Sequence, residues 1–326
     1  MRNGNSRPAA ISVTVPARLH LGFLDLNGGL GRRFGGIGLA ISDLKTVLTI
    51  RHADNTEVSG PESERVGRHV RTMEEMLRLN RAHAVNVSQA VPPHVGLGSG
   101  TQLALAVAAG MRRLHDLPLA IDTDAVALGR GARSGIGIGL FRRGGFVVDG
   151  GHGDKSLVAP VVSHLPFPDE WRILLILDPR YDGMHGSDEA AAFAALPPMP
   201  ASDADRLCRL VLVKALPALV DRDIGSFGAA IKDVQARLGG YFAGAQGGRS
   251  FTSPAVAAVL AALDAAGAHG IGQSSWGPTG FAFAPSAEEA ARLAALARSH
   301  KISDELDIRV CSGINHGAEI VAHSCP

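Results

Sequence analysis

The segment Pro92-Pro93-His94-Val95-Gly96-Leu97-Gly98-Ser99-Gly100-Thr101-Gln102 runs directly into a stretch of alanine, leucine and valine. Glycines let the backbone turn so that successive N–H groups face one cavity. A helix start adds unpaired N–H donors and a partial positive charge. Gly96, Leu97, Gly98, Ser99, Gly100 and Thr101 are therefore candidates for holding a phosphate. Ser99 and Thr101 can add hydroxyl donors. No Gly-Lys-Ser/Thr follows, so this is not a Walker loop, and the glycine spacing is not that of a dinucleotide fold. The alternative is a glycine-rich turn that only caps a helix.

A second polar group lies at Ala17-Arg18-Leu19-His20-Leu21-Gly22-Phe23-Leu24-Asp25-Leu26-Asn27-Gly28, followed by Gly31-Arg32-Arg33. Reactive side chains are often placed where a strand gives way to a loop. Arg18, Arg32 and Arg33 can meet anions, His20 can bind substrate, and Asp25 can face developing positive charge. Asp25 to Gly28 also reads as an ordinary β-turn. A third group is Gly270-Ile271-Gly272-Gln273-Ser274-Ser275-Trp276-Gly277-Pro278-Thr279-Gly280. Here Ser274 and Ser275 offer hydroxyls, and Trp276 either stacks on a ligand ring or folds back on the core. Gly129 to Gly137 contributes Arg130, Arg133 and Ser134. Asp182 to Glu189, with His185, ends at a helix start, where Asp188 and Glu189 suit the dipole. His316 and Glu319 make too sparse a pair to define a metal site.

Steps in apolar pattern place these groups on elements. Ile11 to Val15 alternates and reads as a strand ending at Pro16. Strands are expected at Ile37 to Ile41, Val47 to Arg51 and Ala84 to Gln89. Val66 to Leu79 has helical spacing. Leu103 to Leu114 is apolar nearly all round and should be a buried helix. Asp122 is a candidate cap for a short helix to Arg130. Ile136 to Leu140 and Phe146 to Val148 read as paired strands, with Val158 to Leu165 another. Pro166-Phe167-Pro168-Asp169 marks a boundary, dividing the chain into residues 8–165 and 166–326. Beyond it, a strand at Trp171 to Leu177 precedes helices at Arg206 to Val220, Ile224 to Leu238 and Pro254 to Ala266. A strand at Phe281 to Ala284, a helix at Ala287 to Ser299, and strands at Leu306 to Cys311 and Ala318 to Ala322 complete the pattern. The order is mixed rather than alternating, which favours an α+β fold.

Composition narrows the class. The 326 residues are 46% hydrophobic and 19% charged, with formal net charge +1. That suits a globular protein and gives no basic excess for nucleic acid. Cys208, Cys311 and Cys325 are far apart and form no CxxC pair, so neither a disulfide framework nor a cysteine zinc site is expected. Met1 to Pro8 has no apolar centre, so no secretory signal is expected, and no apolar run reaches the ~18 residues of a membrane span. The expectation is a cytoplasmic enzyme.

The loop Pro93-His94-Val95-Gly96-Leu97-Gly98-Ser99-Gly100 resembles the phosphate-loop signature of the GHMP superfamily. The strand before it and the Gly272-to-Gly280 segment are similar to the other two signatures, in order. The resemblance is closest to the β-ribofuranosylaminobenzene 5'-phosphate synthase family. It rests on residues 17–23 and 25–28, Gly35-Gly36-Ile37-Gly38, residues 131–137, and Gly272-Gln273-Ser274-Ser275-Trp276-Gly277-Pro278-Thr279. It implies a ribosomal-protein-like N-terminal domain, a ferredoxin-like C-terminal domain and a homodimer. It also implies condensation of phosphoribosyl pyrophosphate with 4-aminobenzoate or 4-hydroxybenzoate, with loss of CO2 and pyrophosphate, in tetrahydromethanopterin synthesis. Mg2+ would enter with the pyrophosphate, and no protein residue is singled out as a metal ligand. On this reading Asp25, Arg18 and Arg32 act in catalysis. His20, Arg33, Arg133, Ser134, Ser274, Ser275 and Trp276 bind substrate. The kinases of the superfamily carry a second serine where Gly100 stands, which weighs against ATP-dependent phosphoryl transfer. An ATP-using small-molecule kinase and a non-catalytic phosphometabolite binder are the alternatives.

Overall fold

The computed structural model describes residues 8–184 and 186–324. The chain opens with β1 (Ala10–Asp25) and β2 (Arg32–Ala53), a long antiparallel hairpin. Then follow β3 (Glu57–Ser59), α1 (Ser63–Leu77), β4 (Ala82–Gln89), α2 (Ser99–Leu114), α3 (Ile121–Ala127), α4 (Ile136–Arg143), β5 (Phe146–Asp149), β6 (His152–Gly153) and β7 (Val161–Leu165). The second half holds β8 (Arg172–Leu177), α5 (Gly186–Ala195), α6 (Ala201–Leu210), α7 (Leu216–Val220), α8 (Ile224–Phe242) and α9 (Pro254–Ala265). It ends with β9 (His269–Gln273), β10 (Gly280–Ala284), α10 (Ala287–Ser299), β11 (Asp307–Cys311) and β12 (Glu319–His323). The first sheet runs β12-β1-β2-β4-β3, with β5 and β6 on β2 and β7 on β5. The second is an antiparallel sheet in the order β11-β8-β10-β9. The architecture is α+β, as the mixed element order implies.

Pro16 does not end the first strand. β1 runs through it to Asp25, and the pairing slips there: Pro16 faces Lys45, whereas Ala17 faces Ile41. The hairpin changes partners at this irregularity. Val13 and Val15 pack with α1 and α2. Ala17, Leu19, Leu21 and Phe23 pack with the second half of the chain. One ribbon thus serves two cores, and the residues just past the irregularity, Arg18 and His20, lie between them.

The alanine-rich run is α2, buried from Leu103 through Met111. Small side chains let it lie close on the sheet: a Cβ on Gly110 would stand 2.7 Å from Ile50. Other helices begin with conventional signals. The side chain of Ser253 accepts from Val256 N ahead of Pro254, and that of Ser286 accepts from Glu289 N.

Three expectations are corrected. Ile136 to Leu140 is helical, not a strand; Ser134 Oγ accepts from Ile136 N at 3.2 Å and starts α4. Asp122 does not cap α3, which Ala120 precedes; its carboxylate pairs with Arg142 at 2.8 Å. The boundary near Pro166 is crossed again at the end, because β12 returns to pair with β1 in the first sheet. No helix of the described residues is long and apolar enough to cross a membrane.

Candidate active site

The glycine-rich loop enters α2 through Gly96 and Gly98, both in the left-handed region at φ 85° and 76°. Leu97 is buried in the core and anchors the turn from below. The first helical hydrogen bond is Gln102 N to Gly98 O at 3.2 Å. Among the described residues, the backbone N–H groups of Gly96, Leu97, Gly98, Ser99, Gly100 and Thr101 donate to no protein acceptor. Buried or half-buried amides are nearly always paired. A continuous row without acceptors at a helix start is a cradle for an anion.

Parts of two other segments singled out for their chemistry, Arg18 with His20 and Ser274 with Ser275, meet at this loop. Arg18 N donates to Leu97 O at 3.1 Å, and its guanidinium Nη1 to Gly96 O at 3.2 Å. Ser274 Oγ donates to Gly96 O at 2.8 Å and accepts from His20 N at 3.0 Å. Ser275 N donates to His20 O at 3.2 Å, and Ser275 itself is left-handed at φ 56°. Close packing enforces the glycines: a Cβ on Gly96 would fall 2.3 Å from Ser274 O, and one on Gly98 2.6 Å from Arg18 Cγ. The strand, the loop and the turn after β9 form one unit.

Arginines surround the amide row. The Arg18 side chain lies against Gly98, and Arg130 Nη1 would be 3.0 Å from a Cβ on Gly100. Burial lowers the Arg18 pKa to about 10, with Glu189 acting in the opposite sense. Arg130 is lowered by burial and then by the neighbouring Arg65. His69, below them on α1, is lowered to about 4 by burial and by the Arg130, Arg65 and Arg68 charges. Arg18, Arg130 and Arg65 held together by the fold make this a place suited to an anion. Arg65 gave no signal in sequence because it lies on an ordinary amphipathic helix. The fold brings it here, where it pairs with Glu62 at 3.0 Å and reaches His94 Nε2 at 3.3 Å.

His20 is 3% exposed, and neither ring nitrogen has a hydrogen-bond partner. Burial, then the Arg18 charge, lowers its pKa to about 3, so it is neutral at physiological pH. It lines a pocket with Phe23, Phe242, Gln235, Gln273 and Ser275. Other buried polar atoms without partners gather nearby: Arg18 Nε, Arg130 Nε, the Gln102 amide, Trp276 Nε1 and Thr279 Oγ1. Each costs about 1–3 kcal/mol of desolvation. Such a concentration marks a functional region rather than a packing element.

The GHMP kinases N-terminal domain model matches residues 65–139, and the GHMP kinases C-terminal model residues 215–301. A β-ribofuranosylphenol 5'-phosphate synthase of Archaeoglobus fulgidus is 34% identical over 237 residues, covering 69% of this chain and 75% of the relative. The chain belongs to the β-ribofuranosylphenol 5'-phosphate synthase family. Its relative in Methanothermobacter thermautotrophicus is 31% identical over 288 residues, covering 82% and 86%. The fold is shared with a homoserine kinase structure from Cytophaga hutchinsonii, with TM-score 0.66 and 18% identity over 97% of this chain and 99% of that one. The chain is therefore an enzyme of a family that makes a ribofuranosyl phosphate.

Within this synthase fold the remaining sequence candidates are differently placed. Arg133 bonds Glu189 at 2.5 Å and lies 5.7 Å from the Phe193 ring centre. Glu189 also acts on Arg18, so this pair borders the cradle. Ser134 Oγ donates to Asp149 at 3.0 Å and holds the start of α4. Asp149 was not anticipated. It is fully buried, accepts from Gly135 N and Gly151 N, and has a raised pKa because burial outweighs those bonds. Ser274 is a staple: its hydroxyl is engaged on both sides within the protein. Trp276 is corrected from an open stacking face to a core residue. It is 3% exposed, with Phe242 and Phe193 rings centred 4.3 and 5.1 Å away.

Asp25, Arg32 and Arg33 sit at the far end of the β1–β2 hairpin of the synthase. Asp25 is seven residues beyond Arg18 on a strand that rises about 3.3 Å per residue, roughly 20 Å away. Its Oδ1 accepts from Asn27 N at 2.7 Å and Gly28 N at 2.8 Å, the turn that sequence offered as the alternative. Arg32 bonds Gly151 O at 2.8 Å and Ser156 Oγ at 3.0 Å, and Arg33 lies 5.4 Å from the Phe34 ring centre. The structure thus brings Arg18, His20, Ser274 and Ser275 to the loop, and groups Asp25, Arg32 and Arg33 elsewhere. His185 and Cys325 lie outside the described residues.

Among the described residues, Glu62 and Glu189 border the cradle, each paired with an arginine. That donor set does not fit a resident divalent cation.

Proposed function

We propose that this chain condenses phosphoribosyl pyrophosphate with a para-substituted benzoate, 4-hydroxybenzoate or 4-aminobenzoate, as a decarboxylating phosphoribosyltransferase. The observation that carries the reading is the row of amides without acceptors from Gly96 to Thr101, flanked by Arg18 and Arg130. The names of the 31–34% identical relatives supply the ribofuranosyl phosphate product.

In this reading the amide row and the arginines hold the diphosphate, with Mg2+ arriving as its counter-ion. The C1–oxygen bond of the ribose breaks, and its electron pair leaves on diphosphate. Fixed N–H donors and guanidinium groups stabilise that charge as it develops. The ring carbon bearing the carboxylate forms the new bond to C1, and the para oxygen or nitrogen shares the positive charge on the ring. The carbon–carboxylate bond then breaks, its pair restores aromaticity, and CO2 leaves. His20 lies beside the cradle, and as a neutral imidazole it can hydrogen-bond a substrate without adding charge. Asp25, roughly 20 Å from Arg18 along β1, is the carboxylate this reading offers to the ribose cation. The enzyme is taken to work as a cytoplasmic homodimer early in tetrahydromethanopterin synthesis.

The test is release of labelled CO2 from carboxyl-labelled 4-hydroxybenzoate and 4-aminobenzoate, with phosphoribosyl pyrophosphate, with and without ATP. Donor-dependent, ATP-independent release supports the reading. Consumption of ATP with no labelled CO2 replaces it with the kinase reading, which the missing hydroxyl at Gly100 disfavours.

A further inference from the structure

At the opposite end of α2 from the glycine-rich loop, about 24 Å along a helix of 16 residues, three histidines converge. His52 and His83 are direct cross-strand partners on β2 and β4, and His115 ends α2. One nitrogen from each lies within 4.8 Å of the others. We propose that His52, His83 and His115 form a binding site for a divalent cation of the zinc class, separate from the reaction centre.

The hydrogen bonds that would hold these imidazoles in place are already formed. His83 is fully buried, and its Nδ1 contacts Glu74 Oε1 at 2.7 Å. Thr56 Oγ1 donates to the same oxygen at 3.0 Å and fixes the carboxylate. A carboxylate on Nδ1 sets the tautomer and leaves the Nε2 lone pair directed away from it, the arrangement found behind metal-ligating histidines. That Nε2 lies 2.8 Å from His115 Nε2. One of these two nitrogens must carry the bridging proton, and with His83 protonated on Nδ1 it is His115. A metal takes the place of that proton, His115 shifting to its other tautomer, so no net oxidation or added reactant is needed. Imidazole nitrogens on one tetrahedral zinc, at ~2.0–2.1 Å from the metal, are about 3.3 Å apart. Small ring rotations reach this from the observed spread. The negative end of the α2 dipole also favours a cation here. Imidazole nitrogen selects zinc-like ions over magnesium or calcium. Cysteine spacing could not reveal the site, because its ligands come from two strands and a helix end.

Bound metal would tie β2, β4 and α2 together, so its effect is on stability and not on turnover. The test uses tag-free, chelator-treated full-length protein titrated with Co2+ and, separately, Zn2+ at micromolar concentration. The expected result is one ion per chain, visible Co2+ bands of low-coordinate intensity, a higher Tm, and unchanged kcat. His115→Ala, at a half-buried helix end, should abolish binding, and Glu74→Gln should weaken it about 10–100-fold. His52→Asn is the second ligand variant should His115→Ala fold poorly. Absence of micromolar binding, or wild-type binding by a folded ligand variant, overturns the proposal.

Discussion

Gly100→Ala separates stability from function at the loop. Gly100 is in the first turn of α2, with no left-handed φ to forbid a side chain. The atoms an added methyl would meet are those of the Arg130 guanidinium, at 3.0, 3.4 and 3.5 Å. That is the movable end of a long side chain, so the fold accepts the methyl. Alanine is the better helix former by up to about 1 kcal/mol, worth about 2 °C in Tm for a chain of this size. The same methyl covers part of the amide row and displaces Arg130 from it. Loss of one charge-assisted hydrogen bond to phosphate costs about 1.5–3 kcal/mol, or roughly 10–150-fold in donor affinity. Calorimetric titration with phosphoribosyl pyrophosphate, beside thermal melts, measures both. Gly240→Ala on α8, where a Cβ meets no atom within 4 Å, is the control that should gain stability alone. A stabilised Gly100→Ala enzyme with wild-type donor affinity would refute the idea that this row grips the donor.

Acid sensitivity should follow from His20. It titrates near 3 when folded against 6.5 ordinarily, so between those values the unfolded chain binds the extra proton. Its contribution is complete above about pH 6.5 and declines as pH falls toward 3, by up to about 1.4 kcal/mol per unit. His69, near 4, adds to the decline. Urea midpoints from pH 4 to 8 should show the slope, and His20→Leu should flatten it by about one proton; an unchanged slope would remove His20 as its source. Asp25→Asn keeps an acceptor for Asn27 N and Gly28 N, so the fold should persist while kcat falls two to three orders of magnitude; near-normal turnover would release Asp25 from the catalytic role. Trp276→Ala should lose about 3–5 kcal/mol of stability as a buried ring is removed. Trp276→Phe should keep the aromatic substrate's KM within about twofold, because Trp276 is enclosed by Phe193 and Phe242; a large rise in KM would restore the stacking role.

The order of apolar and glycine-rich segments made the architecture readable, since α1 has helical spacing and α2 is a long run apolar nearly all round. Ile136-Gly137-Ile138-Gly139 misled because alternating isoleucine and glycine imitates a strand, and short apolar runs are ambiguous by period alone. The Ser134-Gly135 turn ahead of it was the better signal. Pro16 misled because a proline at a pairing irregularity needs no ladder N–H. At the site, Gly96 to Thr101, Arg18, His20 and the Ser274–Ser275 turn could be picked out because their residue types are unusual for plain structure. Arg65 and Asp149 could not. Each becomes meaningful only through what the fold sets beside it, a neighbouring arginine for one and a set of backbone amides for the other. Asp25 and Arg18 looked adjacent in sequence, but an extended strand converts seven residues into a long separation.

The return of β12 onto β1 has a bearing on how the molecule is made. Ala10 to Thr14 pairs with His323 to Glu319, so β1 waits during synthesis for a strand roughly 300 residues further along the chain. Until then one flank of β1 is an open template for stray strands. A polypeptide cut near Pro166 is therefore expected to leave that edge open and to accumulate poorly in soluble form, which an expression and solubility assay of the truncated chain checks.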